Sequence, residues 1–284
     1  MIYLTLIIFQ SIFLSSQLNL SNQTSIDEKT STVLDLQLKN LTKINWDTLN
    51  ATFILKNVTH LYLNNNSIHD IEGSEFDYMK KLDVLNLSFN NLTCLNRNIF
   101  DALENLSELY INNNRISILK NFTFTKLKNL KILKLSYNEM TVIERDQFVG
   151  LESLKQLYLA FNNLTSISNL TSNIRISTVS SEIKLDTNNA TSNHSLNQTN
   201  NAVNLIENES QNKTENSSTN ALANVEKITL CFNLLQVIKK NDFDGLINLN
   251  YMRILFNKIS TIEKDSFVDL RNLKYLNLRG NFKV

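Results

Sequence analysis

The chain of 284 residues has no proline, four glycines, two cysteines and three histidines. Each shortage removes a class of chemistry. Gly73, Gly150, Gly245 and Gly280 are too scattered to cradle a phosphate, which excludes nucleotide enzymes built on glycine-rich loops. His60, His69, His194, Cys94 and Cys231 form no ligand cluster, so neither a metal nor another cofactor is expected, and no catalytic constellation stands out. With 28 Lys and Arg against 27 Asp and Glu, the formal charge is +1, which offers no electrostatic footprint for nucleic acid. Beyond the N-terminus no run is apolar enough to span a bilayer.

What is abundant is leucine and asparagine, 46 and 45 residues respectively. AT-rich codon usage raises Asn and lowers Pro, and part of the excess follows from that alone. At the start, Ile2 to Leu14 is apolar apart from Thr5, Gln10 and Ser11, and Ser15 and Ser16 follow. A stretch this short at this place reads as a secretory leader over residues 1–17, the alternative being a short buried helix.

A period of 24 residues organises the rest. The template LxxLxLxxNxLxxL fits from Val58, Leu82, Leu106, Leu130 and Leu154, and again from Val225, Leu249 and Leu273. Its Asn falls at Asn66, Asn90, Asn114, Asn138, Asn162, Asn233, Asn257 and Asn281. A Phe stands at the nineteenth position of six repeats: Phe76, Phe100, Phe124, Phe148, Phe243 and Phe267. Positions 4 and 6 alternate with polar residues, as Leu85 and Leu87 do around Asn86, which is a period-two strand with one face inward. The template Asn sits where the strand turns away, and its amide can satisfy backbone groups buried in that turn.

This register resembles the leucine-rich repeat family in its 24-residue form, typical of animal extracellular proteins. The resemblance covers residues 33–284 with one break. It implies an α/β-type repeat solenoid, a horseshoe with a parallel concave sheet and an irregular convex side. Six segments are expected: the leader at 1–17, an N-terminal flank with a degenerate first repeat at 18–57, repeats at 58–179, a degenerate repeat at 180–190, a disordered insert rich in Asn, Ser and Thr at 191–224, and repeats at 225–284. The first strand is read as Val33-x-x-Leu36-x-Leu38, with Leu41 at the place of the ladder Asn. Relatives usually carry a cysteine-rich N-terminal cap, and none is present here. The degenerate repeat rests on Ile183, Leu185 and Asn188. The last repeat stops without a cap, so membrane attachment would come only through a further downstream segment.

Eighteen Asn-x-Ser/Thr triplets occur. Some, such as that at Asn91, arise because the template itself reads Asn-x-Leu. Six others fall in the insert with a spacing of four within each trio, at Asn189, Asn193 and Asn197 and at Asn208, Asn212 and Asn216. They are candidate glycosylation sites, although duplication of a four-residue unit could also have produced them. Cys94 and Cys231, five stacking steps or roughly 24 Å apart on this reading, are too distant for a disulfide.

Positions 3, 5, 7 and 8 face solvent on the side where this family generally binds ligands. Position 5 carries Tyr62, Tyr110 and Tyr158. Position 8 carries Phe89, Tyr137, Phe161, Phe232 and Phe256, which either anchor a ligand or pack on neighbouring turns. Tyr251 joins them, and Lys184, Lys227, Arg253 and Arg279 gather toward the C-terminus beside Glu182. Tyr62, Tyr110, Tyr158, Phe89, Phe161, Arg253 and Tyr251 are the candidate ligand contacts. The resemblance implies an extracellular ectodomain that binds a protein ligand or receptor in recognition or adhesion. A freely secreted glycoprotein that sequesters a protein partner is the alternative.

Overall fold

The computed structural model describes residues 32–44, 46, 55–144, 146–168, 170 and 221–282. The leader, the degenerate repeat at 180–190 and the six insert triplets lie outside the described residues. Thirteen short strands follow in chain order: β1 (Thr32–Asp35), β2 (Val58–Tyr62), β3 (Val84–Asn86), β4 (Cys94–Leu95), β5 (Glu108–Tyr110), β6 (Ile118–Leu119), β7 (Ile132–Lys134), β8 (Gln156–Tyr158), β9 (Lys227–Thr229), β10 (Val237–Ile238), β11 (Tyr251–Arg253), β12 (Thr261–Ile262) and β13 (Tyr275–Asn277).

Nine of them form one parallel sheet in the order β1-β2-β3-β5-β7-β8-β9-β11-β13. One strand per repeat, all parallel, is the solenoid that the 24-residue period predicts. β4 with β6, and β10 with β12, make two-stranded parallel pairs on the return side. From β2 onward the register is strict: Leu61, Leu85, Leu109, Leu133, Leu157, Ile228, Met252 and Leu276 align at position 4. All but Leu276 are fully buried, because no further strand among the described residues pairs with the far edge of β13. Behind the sheet the Phe column stacks, with ring centroids 6.2, 6.1 and 6.4 Å apart from Phe76 through Phe100 and Phe124 to Phe148.

The buried Asn column carries the turns. Asn138 Nδ2 donates to the carbonyls of Leu135 in its own repeat and Ile111 in the one before, at 3.0 and 3.1 Å. Its Oδ1 accepts the backbone N–H of Ile116 at 3.0 Å. Asn90, Asn114, Asn162, Asn233 and Asn257 repeat this pattern between their own neighbours. Asn66 and Asn281 close the two ends of the ladder.

Two expectations need correction. The first strand is two residues out of register with the reading above. Leu34 pairs with Leu61 and Leu36 takes position 6, while Leu38 is 70% exposed at position 8. A shift of two keeps the same residues on the same face, so the apolar alternation cannot tell the frames apart. The ladder can: Leu41 N–H donates to Asn66 Oδ1, which is the contact of position 11. Position 9 is Lys39, which has no amide side chain to mark it.

The second correction concerns the break. β8 pairs directly with β9, Gln156 against Lys227 and Tyr158 against Thr229, and Asn233 bonds to the Leu159 carbonyl across 74 residues. No strand therefore intervenes between β8 and β9 in this sheet, and residues 180–190 lie outside the described residues. Cys94 and Cys231 are accordingly four steps apart, roughly 19 Å, and both are free thiols. Cys231 is buried at 6% exposure rather than facing solvent.

A second Asn column was not anticipated. At position 24, Asn105, Asn129, Asn224, Asn248 and Asn272 each donate Nδ2 to a carbonyl of the preceding repeat, at 2.7 to 3.0 Å. These bonds are mostly exposed, so they stitch the outside of the same joints. Position 18 gives a third column. Thr123, Gln147 and Ser266 donate to the carbonyls of Leu95, Leu119 and Ile238. Asp242 at the same place accepts from the Lys239 N–H at 2.8 Å, and burial pushes its carboxyl above the ordinary value of 3.8.

Two stability predictions follow from these columns. Asn138→Ala strands three buried backbone groups and should lower unfolding stability by about 3 kcal/mol in urea titration, whereas Asn129→Ala on the exposed column should cost about 1 kcal/mol or less. Asp242 has a raised folded value, so its favourable contribution is full below pH 3.8 and is lost as pH rises through that raised value. Asp242→Asn should therefore raise the melting temperature at neutral pH, with the advantage over wild type fading as pH falls toward 4.

Candidate functional site

Because positions 3 and 5 alternate with the buried position 4, each repeat adds one row to an outward display on the sheet, whereas at position 7 Asn64, Ser88, Cys231 and Leu255 are buried. Position 5 aligns Tyr62, Asn86, Tyr110, Lys134, Tyr158, Thr229, Arg253 and Asn277 along successive strands. Tyr62, Tyr110 and Tyr158 thus stand two strands apart, about 9.6 Å, and do not touch one another. What lies between Tyr110 and Tyr158 is Lys134, whose Nζ sits 4.7 Å from one ring centroid and 5.5 Å from the other. Lys227 bridges Tyr158 and Tyr251 in the same way, 5.2 Å from each. Tyr251 then stacks on Tyr275 with centroids 4.6 Å apart.

The face is therefore a ribbon of alternating phenol and ammonium groups. Each cation–π contact is worth about 0.5–1 kcal/mol at an exposed site and fixes a long side chain that would otherwise be mobile. Hydrogen bonds along the same strands hold the phenols: Tyr158 donates to Gln156 Oε1 at 2.6 Å, and Tyr110 donates to the Glu108 carboxylate. Burial, and then the hydrogen bond to Glu108 and its charge, hold the Tyr110 phenol well above its ordinary value of 10.0. Arg253 lies on β11 between Thr229 and Asn277, and its buried Nε has no hydrogen-bond partner.

A family model described as leucine rich repeat matches residues 31–92, 56–116, 104–164 and 223–281, well over half of the chain. The chain belongs to the leucine-rich repeat family. Solved structures of similar fold include the TLR13–ssRNA13 complex, at 23% identity and TM-score 0.58 over 79% of this chain and 25% of that one. The octameric complex of Latrophilin 3, Unc5D and FLRT2 matches at 22% identity and TM-score 0.62, over 88% of this chain and 61% of that one. The Drosophila Toll–Spatzle complex matches at 15% identity and TM-score 0.62, over 88% of this chain and 26% of that one. At these identities the likeness is one of fold, and the chain spans less than two thirds of each matched chain. A search of curated proteins finds no significant match.

In this leucine-rich repeat sheet the position-8 aromatics behave differently from the tyrosines. Phe89, Tyr137, Phe161, Phe232 and Phe256 all have left-handed backbones, with φ between 52° and 58°. That conformation is costly for a bulky residue. Beside it the ladder Asn at the next position binds the carbonyl two residues before the turn and one of the preceding repeat, as Asn138 does with Leu135 and Ile111. From Tyr137 through Phe161 and Phe232 to Phe256 the rings stack with centroids 4.1, 4.2 and 4.7 Å apart. Gly280 continues the column, where a Cβ would overlap the Phe256 ring. So the rings pack on neighbouring turns and yet stay exposed at their edges, Tyr137 at 48% and Phe256 at 47%. Phe89 is separated from this stack by Asn113 and stands alone, 50% exposed.

The seven candidate contacts are therefore distributed, with Tyr110, Tyr158, Tyr251, Phe161 and Arg253 in one neighbourhood and Tyr62 and Phe89 outside it. Lys184 and Glu182 lie outside the described residues. Lys134 was the missed partner, and the signal was present: it occupies the position-5 gap between two tyrosines, while Lys227 was noted for its charge and not for its ring contacts. Among the described residues no group of His, Cys, Asp and Glu could hold a metal ion, and no helix is long and apolar enough to cross a membrane.

The Tyr110–Glu108 pair gives a titration prediction. Glu108→Gln should bring the Tyr110 ionisation to lower pH yet leave it above 10.0, because burial is the larger cause. Phenolate absorbance in an alkaline titration, with Tyr110→Phe identifying the signal, measures this. No movement on Glu108→Gln would show that the hydrogen bond contributes nothing.

Proposed function

We propose that this chain is the ligand-binding part of an extracellular protein, acting in cell-surface recognition or adhesion by holding a protein partner against the outward face of its sheet. The observation that carries this reading is the ribbon Tyr110–Lys134–Tyr158–Lys227–Tyr251. Five aromatic or cationic side chains are pre-ordered on adjacent rigid strands by their own contacts. Ordering them beforehand lowers the conformational entropy lost on binding. Tyr and Arg, with large contact area and few rotatable bonds, are the residues that dominate protein interfaces.

Three further points support the reading. The apolar start of the chain has the form of a secretory leader, and the Asn-x-Ser/Thr triplets suit passage through a glycosylating compartment. Two of the solved structures of like fold are complexes with protein partners, the FLRT2 assembly and Toll–Spatzle. Tyr110, Lys134, Tyr158 and Arg253 stand half-buried on strands of one sheet, with their polar ends outward.

The test replaces Tyr62, Tyr110 and Tyr158 with Ala in the full chain, produced through a secretory host, and measures binding to cell surfaces. A folded triple variant is expected to lose about tenfold or more in affinity. Unchanged binding by a variant with native circular dichroism and melting temperature would sink the concave-face reading.

A further inference from the structure

Charge on the outward positions is divided along the sheet. Among Asp, Glu, Lys and Arg, the outward positions 3 and 5 and the positions 2 and 7 beside them hold only the acids Asp35, Asp83 and Glu108 around β1, β2, β3 and β5. Around β7, β8, β9, β11 and β13 the same positions hold Lys131, Lys134, Lys155, Lys227, Arg253, Lys274 and Arg279. Glu226 is the acid among them, and Lys155 pairs with it at 2.9 Å. The chain as a whole carries only +1, so this polarity belongs to the face and not to the composition.

A second feature divides at nearly the same place. The stacked position-8 rim begins at Tyr137 and runs to Phe256, beside the basic half. Next to it, between Ser136 and Arg279, position 7 is apolar at Ala160, Cys231 and Leu255, the last two buried, where the acidic half has Asn64, Ser88 and Asn112. Asn86 places an Asn-x-Ser/Thr triplet on β3, directly on the outward face of the acidic half.

We propose that the basic half of this face, from Lys131 to Arg279, docks an acidic segment of a protein partner whose apolar side chains lie along the aromatic rim. The inference rests on the protein-binding reading above and names the chemistry of the partner. Charge complementarity selects an anion, and Arg253, with its planar guanidinium fork, is suited to a carboxylate. A polypeptide fits better than a polyanion for two reasons. A uniformly charged glycan or nucleic acid that followed the sheet would meet Asp83 and Glu108, while a protein can confine its acid to one end. A nucleobase also needs free ring faces for stacking, and here those faces are taken by neighbouring rings or by lysine ammonium groups.

The experiment follows the full chain by fluorescence anisotropy against three labelled probes: a glutamate–tyrosine copolymer, a heparin oligosaccharide and single-stranded RNA. The copolymer is expected to bind most tightly, to weaken with added salt, and to lose about tenfold or more in the Lys134→Glu/Lys227→Glu/Arg253→Glu variant. Because those lysines contact tyrosine rings, the exposed pair Lys274→Glu/Arg279→Glu is tested beside it and should also weaken binding. Gln37→Ala in the acidic half should leave copolymer binding unchanged. Absence of copolymer binding, indifference to both charge reversals, or tighter binding of heparin or RNA would each overturn the assignment. Cell-surface binding measured in parallel keeps the two readings apart. If the Tyr62/Tyr110/Tyr158 triple variant abolishes it and the charge reversals do not, the sheet face still binds and the basic half is the wrong place. If neither matters, the protein-binding reading itself falls.

Discussion

A strand of three residues followed by a tight turn leaves more buried backbone polar groups than it can pair on its own. The amide of the ladder Asn resolves this with three bonds that cross between adjacent repeats, as at Asn138 with Leu135, Ile111 and Ile116. Each amide thereby belongs to two repeats at once, so one repeat cannot satisfy its own turn and the stack folds through its joints. The other regular features rest on this. The position-4 and position-6 leucines can be fully buried because the turn that follows them is satisfied, and the Phe column holds the return segments at the same spacing.

The same constraint frees the outward face. Core positions, ladder and spine fix the backbone, and the residues at positions 3 and 5 can vary without disturbing it. That freedom is visible in the swap from Asn86 to Lys134 to Arg253 along one column of otherwise superimposable strands. Position 8 is the exception. Its left-handed backbone would favour glycine or asparagine, and the chain does use Asn65, Asn113 and Gly280 there. The aromatic residues at the remaining places recover the cost of the conformation by stacking on one another, which turns a strained corner into an exposed apolar rim.

Much of this was legible in the residues because a 24-residue period samples the same environment repeatedly. The strands from Val58 onward, the eight ladder positions and the Phe spine could be read from the template. What escaped did so for identifiable reasons. The frame of β1 was ambiguous because Val33, Leu34, Leu36 and Leu38 satisfy alternation in two registers, and Lys39 removed the one residue that would have distinguished them. The pairing of β8 with β9 was not legible because Ile183, Leu185 and Asn188 carry the template spacing between them. Cys231 looked outward by position, yet lies beneath the crowded rim. The Asn at position 24 recurs plainly in the sequence, but without a neighbouring repeat to supply its carbonyl it carries no meaning. Of the site, the aromatic members could be listed from sequence, while their coupling through Lys134 and Lys227 depended on which strands are adjacent.

The seam between β8 and β9 has a consequence for how such a chain can change. An ordinary ladder bond closes 27 residues, and the one at the seam closes 74. Loop-closure entropy grows only with the logarithm of length, so the longer connection costs about 0.9 kcal/mol more. Against a sheet whose register is fixed on both sides, that is a minor penalty. The length of chain between these two strands thus weighs little on the thermodynamics of the fold. This joint is a port through which the gene can gain or lose sequence while the binding face beside it keeps its geometry.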